Sequence, residues 1–386
     1  MKIGILGGAL DPVHNGHITV AQGVMNQLEL DGIMLLPSGE PPHKPHVSSG
    51  QDRLRMAKLA AKGRRGFFAS DEEIRREGPT YTVDTLTRLT MEHPGTEWVY
   101  IIGADALNAL DSWREFRHVA RLCRFAAVGR PGFDTALAGM KVASLRGCYG
   151  AQIELMSADG LDVSSTEIRR LVAEDRPIGA LVPRAVEKYI RDRGLYLCDY
   201  TEPELLQKLQ ATLTPHRYLH TLGVASTAQR LAPRFNVDPY RARLAGLLHD
   251  CAKSLPLDEM RALVIRYIPD SDEEELGTRA VLHAPAGMIL AERDYGVRDR
   301  SILSAIRKHT LGDGSMSPMD ALIYVSDFIE PGRGSFPGMD KARKAAEKDI
   351  YRAMCICAEL TEAHLRSQGA HAHPRTLALL DEYAYS

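Results

Sequence analysis

The chain has few cysteines, and no two of them form a Cys-x-x-Cys pair. The six lie scattered along 386 residues, at Cys123, Cys148, Cys198, Cys251, Cys355 and Cys357. That spacing matches neither a disulfide framework nor a cysteine-rich zinc site. We therefore expect reduced thiols and a cytoplasmic protein.

Long apolar runs and a charge excess are also missing. No apolar stretch approaches the roughly 20 residues that a membrane-spanning helix needs, and the apolar start runs into polar residues without a signal-peptide pattern. The formal net charge of −2 gives no electrostatic basis for binding a nucleic-acid polymer or an anionic membrane. We expect small-molecule partners, and the sequence leaves an oligomer open.

Two patterns of hydrophobicity divide the chain. Residues 1–198 alternate apolar runs such as "KIGILGG", "GIMLLPSG", "EWVYIIGAD" and "RFAAVGRPG" with helical patterns such as "ITVAQGVMNQLEL", which predicts an α/β domain with a parallel sheet. Residues 199–386 show apolar residues at helical spacing almost throughout, which predicts an all-α domain. The charge run "DSDEEELG" reads as a solvated loop or helix start.

The loop "GGALDPVHNGH" follows the first predicted strand and precedes a helix. Gly7 and Gly8 allow close approach of the backbone, and the helix presents its positive end, so the loop suits a phosphate. His14 and His17 could point the same way and donate hydrogen bonds to phosphate oxygens. A lone His-x-x-His is usually a chance pairing on a helix surface.

A second motif, "VSSTEIRR", lies near the end of the same half. Ser164, Ser165 and Thr166 supply hydroxyls at a helix start, and Arg169 adds a cationic fork for phosphates. In isolation the motif is only a capping box.

These motifs carry a family resemblance. "GGALDPVHNGH" resembles the GGxFDPxHxGH signature of the nucleotidyltransferase α/β-phosphodiesterase superfamily. Together with "VSSTEIRR", "PPHKPH", "GPTYTVDTL" and "IIGADALNALDSW", it makes residues 1–195 resemble bacterial nicotinate-nucleotide adenylyltransferases. Leu10 departs from the usual Phe, a change that we expect to alter packing under the loop and not the reaction.

The resemblance implies a Rossmann-like domain that transfers AMP from Mg²⁺-bound ATP to nicotinate mononucleotide, releasing pyrophosphate. It implies phosphate-stabilising roles for His14, His17, Lys44 and Arg169, although "PPHKPH" could be an ordinary basic loop. Tyr81 and Thr82 would meet the pyridine carboxylate and Trp113 would stack on the ring, or Trp113 could be core. The other implied substrate-binding residues are Gly7, Gly8, Asp11, Gly103, Asp105, Ser164, Ser165 and Thr166.

Histidine and aspartate recur in the apolar stretches of the helical half. Unpaired polar groups are costly there, and imidazole with carboxylate suits iron, manganese or zinc. Each residue alone is more often an ordinary core or surface group, but one metal site explains all six: His220, His249, Asp250, His283, His309 and Asp327.

This half resembles the HD-domain phosphohydrolases, in particular the YqeK-type subgroup. The segments that carry the resemblance are "HRYLHTLGVA", "ARLAGLLHDCAK", "AIRKHT" and "SDFIEPGR". The resemblance implies a helical bundle that hydrolyses diadenosine tetraphosphate symmetrically to two ADP at a dinuclear site, usually of iron. It implies that His220, His249, Asp250 and Asp327 form the core metal site and that His283 and His309 complete a second. Lys253 and Arg333 would hold phosphates, unless they form surface salt bridges.

The predicted protein is thus bifunctional, with an adenylyltransferase domain at 1–198 and an HD-type phosphohydrolase domain at 199–386. The alternative keeps a transferase for another acceptor, joined to a mononucleotide phosphatase or a nucleotide-sensing module. A further hypothesis is that the hydrolase removes dinucleotides that arise when the transferase uses a wrong acceptor. His216 could support the metal site or be exposed, and His371 and His373 read as a solvated tail.

Overall fold

The computed structural model describes residues 1–39, 48–129, 135–157, 163–334 and 336–383, with only the backbone at 104, 105 and 135. Contacts divide the chain into two compact units. The N-terminal unit comprises Met1–Val172 and Arg176–Tyr196, and the C-terminal unit comprises Ala173–Asp175 and Leu197–Ser386. Among the described residues, no helix combines the length and apolar character needed to cross a membrane.

A six-stranded sheet, parallel in every pairing, forms the N-terminal unit in the order β3-β2-β1-β4-β5-β6. The strands are β1 (Lys2–Gly8), β2 (Gly32–Pro37), β3 (Phe67–Ala69), β4 (Glu97–Gly103), β5 (Arg124–Gly129) and β6 (Ile153–Ser157). The order reverses between β1 and β4, which pair with Leu6 opposite Ile101. Loops at the carboxyl ends of these two strands therefore border the crevice where ligands bind in open α/β sheets.

Helices cover both faces of this sheet. They are α1 (Asn15–Gln27), α2 (Gly50–Ala61), α3 (Thr82–Glu92), α4 (Ala104–Leu107), α5 (Phe116–Leu122), α6 (Thr135–Tyr149), α7 (Ser165–Ala173) and α8 (Arg184–Asp192). Ile18, Ile33 and Ile168 belong to the core on one face, and Leu86 and Phe125 to the core on the other. The predicted α/β class with a parallel sheet is confirmed.

The C-terminal unit is all-α, as predicted, because its described residues form helices and connecting loops and no strand. Its helices are α9 (Glu202–Thr212), α10 (Pro215–Leu231), α11 (Pro239–Leu248), α12 (Leu257–Tyr267), α13 (Glu273–Gly277), α14 (Arg279–Asp294), α15 (Arg300–Lys308), α16 (Pro318–Ile329), α17 (Met339–Ala346), α18 (Ile350–Ser367) and α19 (Pro374–Tyr383). Polar caps mark several starts, such as Asp238, whose carboxylate accepts two backbone N–H bonds of α11. Proline follows that cap at the first helical position, where its missing N–H costs nothing.

Two residues that the sequence suggested to be solvated are buried. His373 is only 8% exposed, and its Nε2 lies 3.4 Å from Oδ1 of Asp272. Glu275, within the acidic run, is fully buried and accepts hydrogen bonds from both terminal nitrogens of Arg307. The solvated-tail prediction was therefore wrong for His373. Its burial depends on a contact with Asp272, 101 residues earlier in the chain, which the local sequence does not indicate.

A close approach of α10 and α11 depends on Gly246. A Cβ at this position would lie 2.7 Å from Cα and 2.9 Å from the backbone nitrogen of Ala225. Since backbone cannot move aside like a flexible side chain, we expect Gly246→Ala to destabilise the helix pair by about 1–3 kcal/mol.

Hydrogen exchange of peptides from α10 and α11 in the full chain measures this loss. Gly277→Ala is the control, because a Cβ there meets no atom within 4 Å. Equal protection in the Gly246→Ala variant and the unsubstituted chain would contradict the packing argument.

Candidate functional site

The first site lies where β1 ends at the point of strand reversal. A Cβ on Gly7 would collide with the Tyr100 hydroxyl, so only glycine lets β1 pass this side chain. Gly8 is exposed and has a φ of +144°, which favours glycine. Leu10 has a φ of +50° and is 3% exposed, and it packs in the core beneath the loop.

His14 and His17 form reciprocal hydrogen bonds, in which the backbone N–H of each donates to the ring of the other. His14 is the N-cap of α1, and the His17 backbone N–H donates to its Nδ1 (3.3 Å). The His14 backbone N–H donates in turn to Nδ1 of His17 (3.2 Å), and the two rings stack with centroids 3.6 Å apart. Because each Nδ1 accepts, each neutral ring carries its proton on Nε2. Each ring thus has its N–H on Nε2, and the pair lies at a helix N-terminus, a position that suits an anion.

Asp11 anchors the loop from inside the domain. Its carboxylate is 1% exposed and accepts from the Tyr196 hydroxyl (2.6 Å), from the Ser48 backbone N–H (3.0 Å) and from the Ser48 hydroxyl. Burial beside this carboxylate raises the pKa of Tyr196 well above its usual value, so Tyr196 stays a donor. The sequence-based prediction gave Asp11 a substrate-binding role, whereas in the structure its side chain bonds protein donors.

Arg53 is a second buried support that sequence reasoning missed. It is 2% exposed, and its guanidinium donates to the backbone carbonyls of Ala9 (3.2 Å), Gly39 (2.7 Å) and Ser48 (3.1 Å). An arginine early in a predicted helix carries no signal for this role. Arg53 also donates to the Ser38 carbonyl, and its five fixed N–H donors suit these four converging carbonyls.

The structure brings the "VSSTEIRR" motif against the opening loop. Arg169 donates to the Asp11 carbonyl (2.7 Å), and Ser165 donates to the Pro12 carbonyl (3.0 Å). Ser164 accepts from the Glu167 backbone N–H (3.1 Å), which is the capping role that the motif suggests in isolation. Thr166 accepts from Arg169 (3.3 Å).

The other side of the crevice is formed after β4. Gly103 ends that strand and is exposed. Trp113 is half-buried, and its ring meets Tyr100 edge-to-face, with centroids 5.7 Å apart. Tyr81 is exposed under the Arg114 guanidinium, 4.7 Å from the ring centroid. Trp113 thus packs partly into the core.

A buried glutamate supports the start of α3, where Tyr81 and Thr82 lie. Glu73 accepts from the hydroxyls of Thr85 (2.9 Å) and Thr80 (3.1 Å). Burial raises the pKa of Glu73. Lys44 and the Asp105 side chain lie outside the described residues, so their predicted roles stay predictions.

The second site is a cluster of imidazoles and carboxylates in the C-terminal unit. Helices α10, α14 and α16 carry His220, His283 and Asp327, while His249 and His309 are the C-caps of α11 and α15. All four histidines and Asp250 are buried. The ligand atoms fall into three groups that could hold a metal ion: His220-His249-Asp250, His249-His309-Asp327 and Asp250-His283-His309.

Asp250 lies at the centre of this cluster. Its Oδ1 is 3.0 Å from Nε2 of His283 and 3.8 Å from Nε2 of His309. Its Oδ2 is 3.5 Å from Nε2 of His249 and 3.9 Å from Nε2 of His220. Each oxygen of one carboxylate thus faces a different pair of imidazoles.

Backbone carbonyls orient two of these rings. Nδ1 of His249 lies 2.7 Å from the Gly246 carbonyl, and Nδ1 of His309 lies 2.7 Å from the Ile306 carbonyl. Because a carbonyl only accepts, each Nδ1 carries the proton and each Nε2 keeps a lone pair directed at the cluster. This is the tautomer that a metal ligand needs.

The cluster fits a divalent metal on its own geometry. Nε2 of His249 is buried and has no hydrogen-bond partner among the described residues, which is costly unless an electrophile binds there. Burial lowers the pKa of His249 and of His283 to about 4, so both rings are neutral near pH 7. Neutral imidazole and carboxylate together suit first-row metals.

Glu330 is a cluster member that sequence reasoning missed. Its carboxylate lies 3.1 Å from Nδ1 of His220 and accepts from the Gly332 backbone N–H (2.6 Å). A Cβ on Gly223 would collide with it, so glycine in α10 makes room. Burial opposes protonation of His220, but Asp327 and Glu330 outweigh burial and raise its pKa.

Cations surround the open side of the cluster. Lys253 Nζ lies 3.0 Å from His283, and Arg333 donates to Oδ1 of Asp327 (2.7 Å). Arg217, which the sequence did not single out, donates to Oδ2 of Asp250 (2.7 Å). His216 is exposed, one helical turn before His220.

Two family models match the two units. The model described as "Cytidylyltransferase-like" matches residues 5–171, and the model described as "HD domain" matches residues 217–357. The chain is thus a two-domain enzyme with a nucleotidyltransferase domain followed by an HD domain. Over 198 residues it is 42% identical to a protein of Synechococcus sp. (strain JA-3-3Ab) named "Probable nicotinate-nucleotide adenylyltransferase", covering 95% of that protein and 51% of this chain. The chain belongs to the nicotinate-nucleotide adenylyltransferase family.

Two relatives include the HD part. A Mycoplasma genitalium protein named "Probable nicotinate-nucleotide adenylyltransferase/Ap4A hydrolase" is 27% identical over 361 residues, 92% of this chain and 96% of its own. A crystal structure of an HD superfamily hydrolase from Clostridium acetobutylicum, described as "involved in NAD metabolism", is 35% identical. It covers 48% of this chain and 98% of its own, with a TM-score of 0.47. The two family models, with the Synechococcus and Mycoplasma relatives, confirm the predicted family and domain types.

Removing the Tyr196 hydroxyl leaves the Asp11 carboxylate, among the described residues, with the Ser48 backbone N–H and the Ser48 hydroxyl as hydrogen-bond donors. We expect Tyr196→Phe to lower hydrogen-exchange protection of the loop around Asp11 by about 1–3 kcal/mol, because a buried carboxylate loses a donor. Tyr189→Phe is the matched control, since that hydroxyl donates to Asp52 (2.8 Å) and not to Asp11. If the loop shows equal hydrogen-exchange protection in both variants, the Tyr196 hydroxyl does not support it.

Glu330→Gln keeps the shape of the side chain but removes the charge beside His220. We expect divalent-metal affinity to fall about 10–100-fold, the usual effect of losing a carboxylate that orients a ligating histidine. Metal titration with a competing chelator measures this. The exposed His216 provides the control, because His216→Ala should leave affinity unchanged, whereas an unchanged Glu330→Gln variant would contradict the orienting role.

Proposed function

We propose that the N-terminal unit transfers AMP from ATP to nicotinate mononucleotide and that the C-terminal unit hydrolyses diadenosine tetraphosphate symmetrically to two ADP. The observation that carries the first part is the pair of Nε2–H donors at the start of α1. The observation that carries the second is Asp250, whose two oxygens face separate imidazole pairs. The names of the Synechococcus and Mycoplasma relatives support the same assignment.

In the transfer reaction a phosphate oxygen of the mononucleotide bonds to the α-phosphorus of ATP. The bond from that phosphorus to the α–β bridging oxygen breaks, and pyrophosphate leaves with that oxygen. Mg²⁺ enters as part of the ATP complex. We assign His14 and His17 to the α-phosphate, where two neutral N–H donors stabilise the charge of the transition state. Arg169, which lies against the same loop, and Lys44 would bind the leaving phosphates.

The acceptor would lie across the crevice from ATP. Gly7 and Gly8 border the point of strand reversal, and Tyr81, Thr82 and Trp113 lie along its other side. We assign Tyr81 and Thr82 to the pyridine carboxylate and Trp113 to stacking on the ring. Gly103 and Asp105 would line the ribose side, and the hydroxyls of Ser164, Ser165 and Thr166 would stay near the phosphates. Asp11 acts here by holding the loop.

In the hydrolysis a water oxygen bonds to one of the two central phosphorus atoms of the tetraphosphate. The bond from that phosphorus to the central bridging oxygen breaks, so each product is ADP, and two protons are released at alkaline pH. Two divalent ions, which we assign as iron, would supply Lewis acidity and an acidified water at this site.

The chain's own residues prepare the site for those ions. We assign His220, His249, Asp250 and Asp327 to one ion and His283 and His309 to a second; these last two imidazoles face the other oxygen of Asp250. Burial alone would raise the pKa of Asp327, but the His220 hydrogen bond and the Arg333 charge reverse this and hold it below its usual range. Lys253 and Arg333 supply positive charge for substrate phosphates.

Two single substitutions in the full chain test both activities together. His17→Ala should lower formation of the nicotinate dinucleotide about 10²–10³-fold, as expected for the loss of a transition-state donor, and leave tetraphosphate hydrolysis intact. His249→Ala should abolish hydrolysis and leave the transferase intact.

The assays use ATP with nicotinate or nicotinamide mononucleotide, and diadenosine tetraphosphate with iron or manganese. A nucleotide-sensing domain would bind the tetraphosphate without turnover. If His17→Ala keeps the transferase activity, the assignment of the N-terminal unit is wrong. If His249→Ala keeps the hydrolase activity, the assignment of the C-terminal unit is wrong.

A further inference from the structure

A cavity of about 570 Å³ in the C-terminal unit is lined by cations and hydroxyls. Its lining residues are Thr214, Arg217, Lys253, Ser254, Arg279 and Ala280. Three of the six are cationic, two bear hydroxyls and none is acidic. That composition suits a ligand with several negative charges.

Two of these cations join the cavity to the metal-ligand cluster. Arg217 reaches Oδ2 of Asp250 at 2.7 Å, and Lys253 Nζ lies 3.8 Å from Oδ1 of the same carboxylate. Two residues that line the cavity therefore also contact the central carboxylate of the cluster. The cavity thus lies beside the cluster, next to the position that a phosphate held there would take.

Arg279 lies farther from the cluster. It is exposed at the first position of α14, and its guanidinium donates to the Lys253 carbonyl (3.0 Å). Among the described residues no carboxylate pairs with it, so its charge faces the cavity without a counter-ion. The 16-residue helix that it begins adds its positive end.

We propose that this cavity binds the linear phosphate chain on the leaving-group side of the substrate, with Arg279 contacting a phosphate beyond the one that is attacked. The inference rests on the proposed hydrolysis and extends it to substrate class. The site favours polyphosphates with at least two phosphates past the scissile bond over single-phosphate esters. Arg217 and Lys253 bind the phosphates near the metals, and Arg279 distinguishes longer from shorter phosphate chains by contacting a more distant phosphate.

The test compares Arg279→Gln with Arg298→Gln in the full chain. Arg298 is an exposed arginine in the loop before α15 that does not line the cavity, so its substitution removes the same charge elsewhere. The first measurement is calorimetric binding of inorganic tripolyphosphate to metal-free protein, where chelation of a metal cannot contribute. We expect Arg279→Gln to weaken binding about tenfold, the effect of one charge-assisted hydrogen bond, and Arg298→Gln to bind like the unsubstituted chain.

The second measurement uses the metal-loaded chain. Arg279→Gln should raise KM for diadenosine tetraphosphate about tenfold, keep kcat within twofold, and leave KM for p-nitrophenyl phosphate unchanged. Unaltered tripolyphosphate binding, equal losses in both variants, or an unaltered KM for the tetraphosphate would each overturn the inference. If the unsubstituted chain does not hydrolyse the tetraphosphate, the proposed function fails, and tripolyphosphate binding alone then decides whether the cavity is a polyphosphate site.

Discussion

Both candidate sites depend on a buried aspartate whose carboxylate is satisfied by hydrogen-bond donors. Asp11 and Asp250 are 1% and 2% exposed, and an unpaired buried carboxylate costs several kcal/mol. Tyr196 satisfies Asp11 from 185 residues away, and Arg217 reaches Asp250 from 33 residues away. Neither carboxylate has its donors until the surrounding unit has folded. The sites are therefore products of the complete folds and not of their motifs alone.

Histidine Nε2 is a hydrogen-bond donor in the first site and a lone-pair acceptor in the second. The helix end at which a histidine lies decides between the two states. A helix N-terminus has free N–H groups and a C-terminus has free carbonyls. His14, at the N-cap of α1, accepts a backbone N–H on Nδ1, so its Nε2 is a donor. His249 and His309, at the C-caps of α11 and α15, donate from Nδ1 to carbonyls, so their Nε2 atoms are acceptors. Donors suit a phosphate, and acceptors suit a metal.

Sequence alone predicted what is local. Strand runs, helix starts and the phosphate-loop motif reflect neighbouring residues, and the resemblance gave the family. What it missed comes from distant packing. β3 is three residues long, and β6 is an edge strand in which four of the five residues are at least partly exposed, so neither carries a strong pattern. The sequence did not single out Tyr196 or Arg279, and it did not single out Glu330 although that residue lies in "SDFIEPGR". Only tertiary contacts show what each of these side chains meets.

Some features of the sites can still be predicted from the sequence, because the sequence partly indicates where helices begin and end and which backbone groups are free there. Asp238 followed by Pro239 marks the start of α11, and the ten-residue helix then ends with His249 as its C-cap. A histidine at such an end meets free carbonyls, so its Nδ1 must donate and its Nε2 must accept. The histidines of "GGALDPVHNGH" meet free N–H groups instead, since a helix begins there. Position relative to a helix terminus thus predicts which ring nitrogen carries the proton in His14, His249 and His309. His220 and His283 lie within α10 and α14, so their orientation depends on tertiary contacts.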